Sequence, residues 1–131
     1  MAHRPRPLSP HLQVYRWQVQ MVVSILTRAT GIIAGLAAFL FTAGLVALAA
    51  GDAAWLEFVE LVRSPLGFIV LFVWTWALAF HSFAGIRHLA QDAGVGMKIE
   101  SVIRSSWATI IGSLLVTALV WVIAMMQEGG A

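Results

Sequence analysis

The stretch Phe80-His81-Ser82-Phe83-Ala84-Gly85-Ile86-Arg87-His88-Leu89-Ala90-Gln91-Asp92 begins as an apolar run and ends with an arginine, a histidine and an aspartate. His81 follows a long uncharged segment, so in a membrane its imidazole is buried. An ionisable group at that depth needs a partner or a task. A neutral imidazole also offers a nitrogen lone pair to a metal. On a helix, His81, Gly85, His88 and Asp92 stand at i, i+4, i+7 and i+11, on one face. Gly85 has no side chain, so a flat group can lie against the backbone there.

A second cluster, Ser24-Ile25-Leu26-Thr27-Arg28-Ala29-Thr30-Gly31, lies at the start of an earlier apolar run. Ser24, Arg28, Gly31, Gly35 and Thr42 fall near one helical face. Arg28 is about two turns beyond Gln20, roughly 12 Å along a helix. His81 is roughly 24 Å from Pro65 and about 16 Å from Asp92 on the same scale, which places it in the inner half, at a depth similar to Arg28. A buried cation beside a buried imidazole calls for an anion between them. An iron porphyrin on His81, passing over Gly85, answers this with its propionates. The bland alternatives are a core histidine bonded to a neighbouring helix, an Arg28 that snorkels to headgroups, and Arg87 and His88 that complement a helix C-terminus.

Composition dictates the elements that must position these groups. Of 131 residues, 60% are hydrophobic and 11% charged, against about a quarter charged in soluble domains. The chain is an all-α membrane protein, with three uncharged runs near the ~20 residues that span a bilayer. Spans are expected over about 21–50, 65–92 and 105–127, preceded by an arm over 1–20. The arm carries Pro5, Pro7 and Pro10, which forbid a regular helix early on, and shows no signal-peptide pattern. Ser64 suits an N-cap and Pro65 the first turn of span two. Gly94 suits its C-cap. Trp55, Phe58, Val59 and Val62 recur at helical spacing between spans one and two, as in an amphipathic turn lying on the membrane. Thr109, Gly112, Ser113 and Thr117 of span three read as small helix-packing residues.

The pI of about 9.9 reflects membrane orientation and not nucleic-acid binding. Arg4, Arg6 and Arg16 precede span one, and Arg87, Lys98 and Arg104 flank the second loop. The first loop sets Asp52, Glu57 and Glu60 against Arg63. The positive-inside rule puts the N-terminus on the cytoplasmic side, or in the matrix of an organelle. The absence of cysteine excludes disulfides and thiolate metal sites. A transporter would need polar residues along a whole pathway, and here they gather at the inner end.

One chain cannot complete a six-coordinate haem. His81 and His88 share a face roughly 10 Å apart along the axis and cannot straddle one iron. His3 and His11 belong to the arm. Either the iron keeps an open position or a second polypeptide supplies the other ligand; electron transfer favours the latter.

Three pieces then resemble a known family. They are Arg6-Pro7-Leu8-Ser9-Pro10-His11-Leu12 with Tyr15, the Ser24–Gly31 cluster, and His81-Ser82-Phe83-Ala84-Gly85-Ile86-Arg87-His88-Leu89 followed by Asp92. In order and layout they are similar to the larger membrane-anchor subunits of succinate dehydrogenase, the cytochrome b subunits of complex II. The resemblance implies part of a heteromeric helix bundle in a bacterial inner membrane, with the mitochondrial inner membrane as the other setting. It implies haem b with His81 as axial ligand, and a smaller anchor subunit supplying the opposite histidine. It places ubiquinone on Ser24 and Arg28, haem propionates on Arg28 and His88, and proton delivery on Asp92. An iron–sulfur subunit and a flavoprotein subunit are the implied soluble partners, and no succinate chemistry falls to this chain. The family often has histidine where this sequence has Thr27. A haem-free structural anchor is the competing expectation.

Overall fold

The computed structural model describes residues 16–128, all of them helix or short connection. Four helices follow in order: α1 (Val19–Ala50), α2 (Asp52–Arg63), α3 (Pro65–Asp92) and α4 (Ile99–Glu128). Helices α1, α3 and α4 are long and apolar enough to cross a membrane. Most of the arm, residues 1–15 with Tyr15, His3 and His11, lies outside the described residues. The third span begins at Ile99 and not near Ser105. Glu100, Ser101 and Arg104 are polar, but a helix rises through its interface before it enters lipid, and polarity there does not stop the backbone ladder. The amphipathic segment between spans one and two is a full twelve-residue helix.

The caps follow local chemistry. Gly67 N–H donates to Ser64 Oγ (3.1 Å), and Pro65 opens α3. At the other end the cap residue is Ala93, and Gly94 follows it with φ +78°. Val95 N–H donates to the Ala90 carbonyl and Gly94 N–H to that of Gln91. This pair of bonds is the Schellman arrangement, which needs a left-handed residue at Gly94's position.

Helix α3 is central and touches the other three. Most buried positions carry small residues, Phe80 and Val23 being larger, and the outside carries large apolar ones. Buried positions on α1 are Val23, Thr30, Ala37 and Gly44, seven residues apart. From α3 come Ala77, Phe80 and Ala84, and from α4 Ser106, Thr109, Ser113 and Thr117. Phe39, Leu89 and Ile99 face outward. Lipid tails are as apolar as leucine, so helices associate by close packing and not by hiding apolar surface. The buried hydroxyls of α4 each donate to a carbonyl of the preceding turn, at 2.7 to 2.9 Å, so none is left unpaired in a medium without water.

Gly44 shows how tight the fit is. A Cβ there would lie 2.9 Å from Cε1 of Phe58, which anchors α2 against α1. Gly44→Leu should unseat α2. In a Val62→Cys background, which keeps Phe58 in a chain with no native cysteine, maleimide labelling of position 62, half-buried on the same face of α2, should rise several-fold; unchanged labelling would contradict this packing.

Candidate functional site

The N-terminal half of α1 and the C-terminal half of α3 meet at His81. Its Nδ1 lies 3.2 Å from the carbonyl oxygen of Thr27 and 3.5 Å from Thr30 Oγ1. A carbonyl only accepts, so Nδ1 carries the proton and donates, and the Nε2 lone pair is left available. Thr30 is fully buried, and its hydroxyl donates to the Leu26 carbonyl at 2.7 Å. Gly31 lies directly beneath the ring: a Cβ there would sit 3.0 Å from His81 Cε1. The core behind this contact is Val23, Phe80 and Ala84, packed by Leu26, Trp76 and Ile110.

The rest of the α3 stripe faces away from that core. His81, His88 and Asp92 are exposed and Gly85 is half-buried, with nothing within 4 Å of where its Cβ would be. Because α3 runs unbroken to Asp92, these residues do share one face, as their spacing requires. The neighbouring Arg87 turns elsewhere: its Nε donates to Ser105 Oγ (3.1 Å) and ties α3 to α4.

On α1, Ser24 and Arg28 stand one turn apart and both are exposed. Arg28 adjoins Thr27, so the contact at Thr27 fixes it at the depth of His81. Thr27, Thr30 and Thr42 of the same helix donate their hydroxyls to carbonyls one turn back. The Ser24 hydroxyl has no such bond among the described residues, nor has Arg28 an acidic partner there. Two apolar clefts open at the other end, both lined by Trp55, Phe58, Val62, Leu71 and Trp74, away from these groups.

Ser24, Arg28 and His81 are all exposed, with His88 and Asp92 further along the same α3 face toward its C-terminal end. Two contributors had escaped the sequence. Gly31 gives no sign in the sequence that a ring packs over it, and the Thr27 carbonyl, being backbone, leaves no mark there. The donor set fits a haem iron. There is one imidazole with a fixed proton and an available nitrogen, open space over a glycine, and a cation at the same depth. Among the described residues there is no cluster of three or more side chains able to hold a metal by themselves.

Residues 2–120 match the family described as succinate dehydrogenase/fumarate reductase transmembrane subunit. The chain belongs to that family. It is 46% identical over 120 residues to the succinate dehydrogenase cytochrome b556 subunit of Paracoccus denitrificans, covering 90% of this chain and 91% of the relative. The subunit of the same name from Rickettsia typhi is 34% identical over 127 residues, covering 92% and 94%. The mitochondrial succinate dehydrogenase cytochrome b560 subunit of Mus musculus is 37% identical over 112 residues, covering 84% of this chain and 66% of the relative. As a member of this family the chain is a multi-pass transmembrane subunit, in keeping with its three spanning helices.

Proposed function

We propose that this chain is the cytochrome b membrane anchor of a succinate:quinone oxidoreductase, holding haem b jointly with a smaller anchor subunit and forming part of the ubiquinone-reduction site. The observation that carries the reading is His81: an imidazole deep in an apolar helix, its Nδ1 proton held by Thr27, on a face that the chain's own helices leave uncovered. His81, through Nε2, would hold the haem iron together with a histidine of the smaller anchor subunit. Arg28 and His88 hold the propionates. Haem, when bound, supplies one-electron redox chemistry.

Quinone reduction takes two electrons and two protons. The Ser24 hydroxyl, unused by its own helix, donates a hydrogen bond to one quinone carbonyl. The Arg28 guanidinium stabilises negative charge as it develops on a quinone oxygen. Asp92, at the inner end of the same α3 face, delivers protons from the aqueous side. The electrons come from an iron–sulfur subunit docked on the inner surface, itself served by a flavoprotein subunit that oxidises succinate. The charges of the loops orient the chain with its N-terminus in the cytoplasm of a bacterial cell and its spans in the inner membrane.

His81→Ala should abolish the reduced b-type α-band of the purified complex, and an unchanged band would move the ligand elsewhere. Ser24→Ala or Arg28→Leu should lower quinone reductase activity by about 10- to 100-fold, the order expected for a lost transition-state contact, while succinate oxidation by an artificial acceptor persists. Full retention of both activities would remove the quinone site from these residues.

A further inference from the structure

An axial histidine is defined by its nitrogen and by what holds the rest of the ring. In this chain one turn of α1 does the holding. The Thr27 carbonyl takes the Nδ1 proton at 3.2 Å. Thr30 Oγ1 stands 3.5 Å from the same nitrogen. Its one proton is engaged at 2.7 Å by the Leu26 carbonyl, so what it turns to the ring is lone-pair density. Gly31 leaves the space that Cε1 occupies. Two electron-rich oxygens and a missing side chain thus fix the ring's tautomer, its rotation and its distance from α1.

We infer that the Thr27–Gly31 turn is the seat of the haem ligand, with Thr30 and Gly31 as positioning residues that set the potential and the retention of the haem. This rests on the reading of His81 as the axial ligand. Oxygen acceptors at Nδ1–H make the imidazole more basic and raise its strength as a donor. A stronger donor favours ferric over ferrous iron and lowers the midpoint potential. Removing the Thr30 oxygen with little change of volume therefore raises the potential. Adding a methyl at Gly31 pushes the ring outward by a few tenths of an ångström, because a Cβ 3.0 Å from Cε1 is closer than an ordinary contact. The loss of haem affinity is about 10- to 100-fold, the usual scale for disturbing the support of a metal ligand.

The test uses the intact membrane complex, with haem quantified per copy of this chain, a redox titration of the α-band, and electron paramagnetic resonance of the oxidised haem. Thr30→Val should keep haem but shift the midpoint potential upward, and Thr30→Ser, which restores the hydroxyl, should return it toward the wild-type value. Gly31→Ala should release haem on dilution faster than wild type and shift the low-spin g values. His81→Ala serves as the reference for loss of the ligand. If His81→Ala abolishes the haem signal while Thr30→Val keeps the wild-type potential and Gly31→Ala keeps wild-type retention and g values, the seat is refuted and the ligand stands. If His81→Ala retains a normal haem signal, the ligand assignment fails and the seat with it.

Discussion

Hydrocarbon cannot hydrogen-bond, so a polar group on a membrane helix must be satisfied by protein or by something bound to it. Much of this structure follows from that constraint. Hydroxyls along α1, α3 and α4 fold back onto carbonyls of the preceding turn. Arg87 reaches across to Ser105. The Nδ1 proton of His81 goes to Thr27 on the neighbouring helix. Once these pairings are made, the Ser24 hydroxyl, the Arg28 guanidinium and the second nitrogen of His81 still lack a protein partner among the described residues, as do the buried Gln20 Oε1 and Trp121 Nε1. In lipid such a remainder is costly unless a ligand or a partner subunit covers it, and a propionate-bearing iron porphyrin with a quinone beside it has the complementary chemistry.

The bundle positions this remainder through close approach. Small buried residues on α1 and α4 let helix backbones pack near one another, and α3 packs against both. At Gly31 that closeness is used by a side chain and not by a second backbone, since the ring of His81 packs 3.0 Å from where a Cβ would be. A polar contact between helices thereby becomes a fixed orientation of one imidazole. The continuity of α3 from its Ser64 cap to Asp92 carries the same face to the C-terminal end of the helix, where His88 and Asp92 are exposed.

Much of this was legible in the sequence because it rests on periodicity and on residues with narrow roles. The i, i+4, i+7, i+11 spacing fixed the shared face of His81, Gly85, His88 and Asp92, and Ser64-Pro65 and Gly94 marked the ends of α3 to within a residue. Less legible was the start of α4, because Glu100 and Arg104 read as loop although they lie in an interfacial turn. The choice of Arg87 for α4, and of the His88 side for the open face, depends on how α3 is rotated against its neighbours. Least legible was the Thr27 carbonyl, since every residue has one and only the packing of α1 on α3 decides which meets the imidazole. Thr27 stands where the family often has histidine, yet this contact uses the backbone and survives the exchange.

A density map of the intact membrane complex, fine enough to orient imidazole rings, is the most direct measurement. The expected result is His81 Nε2 on the iron, Nδ1 on the Thr27 carbonyl, and the opposite axial ligand from another subunit. A ring turned so that Nδ1 meets the iron, or a His81 with lipid alone against its free nitrogen, would contradict the account.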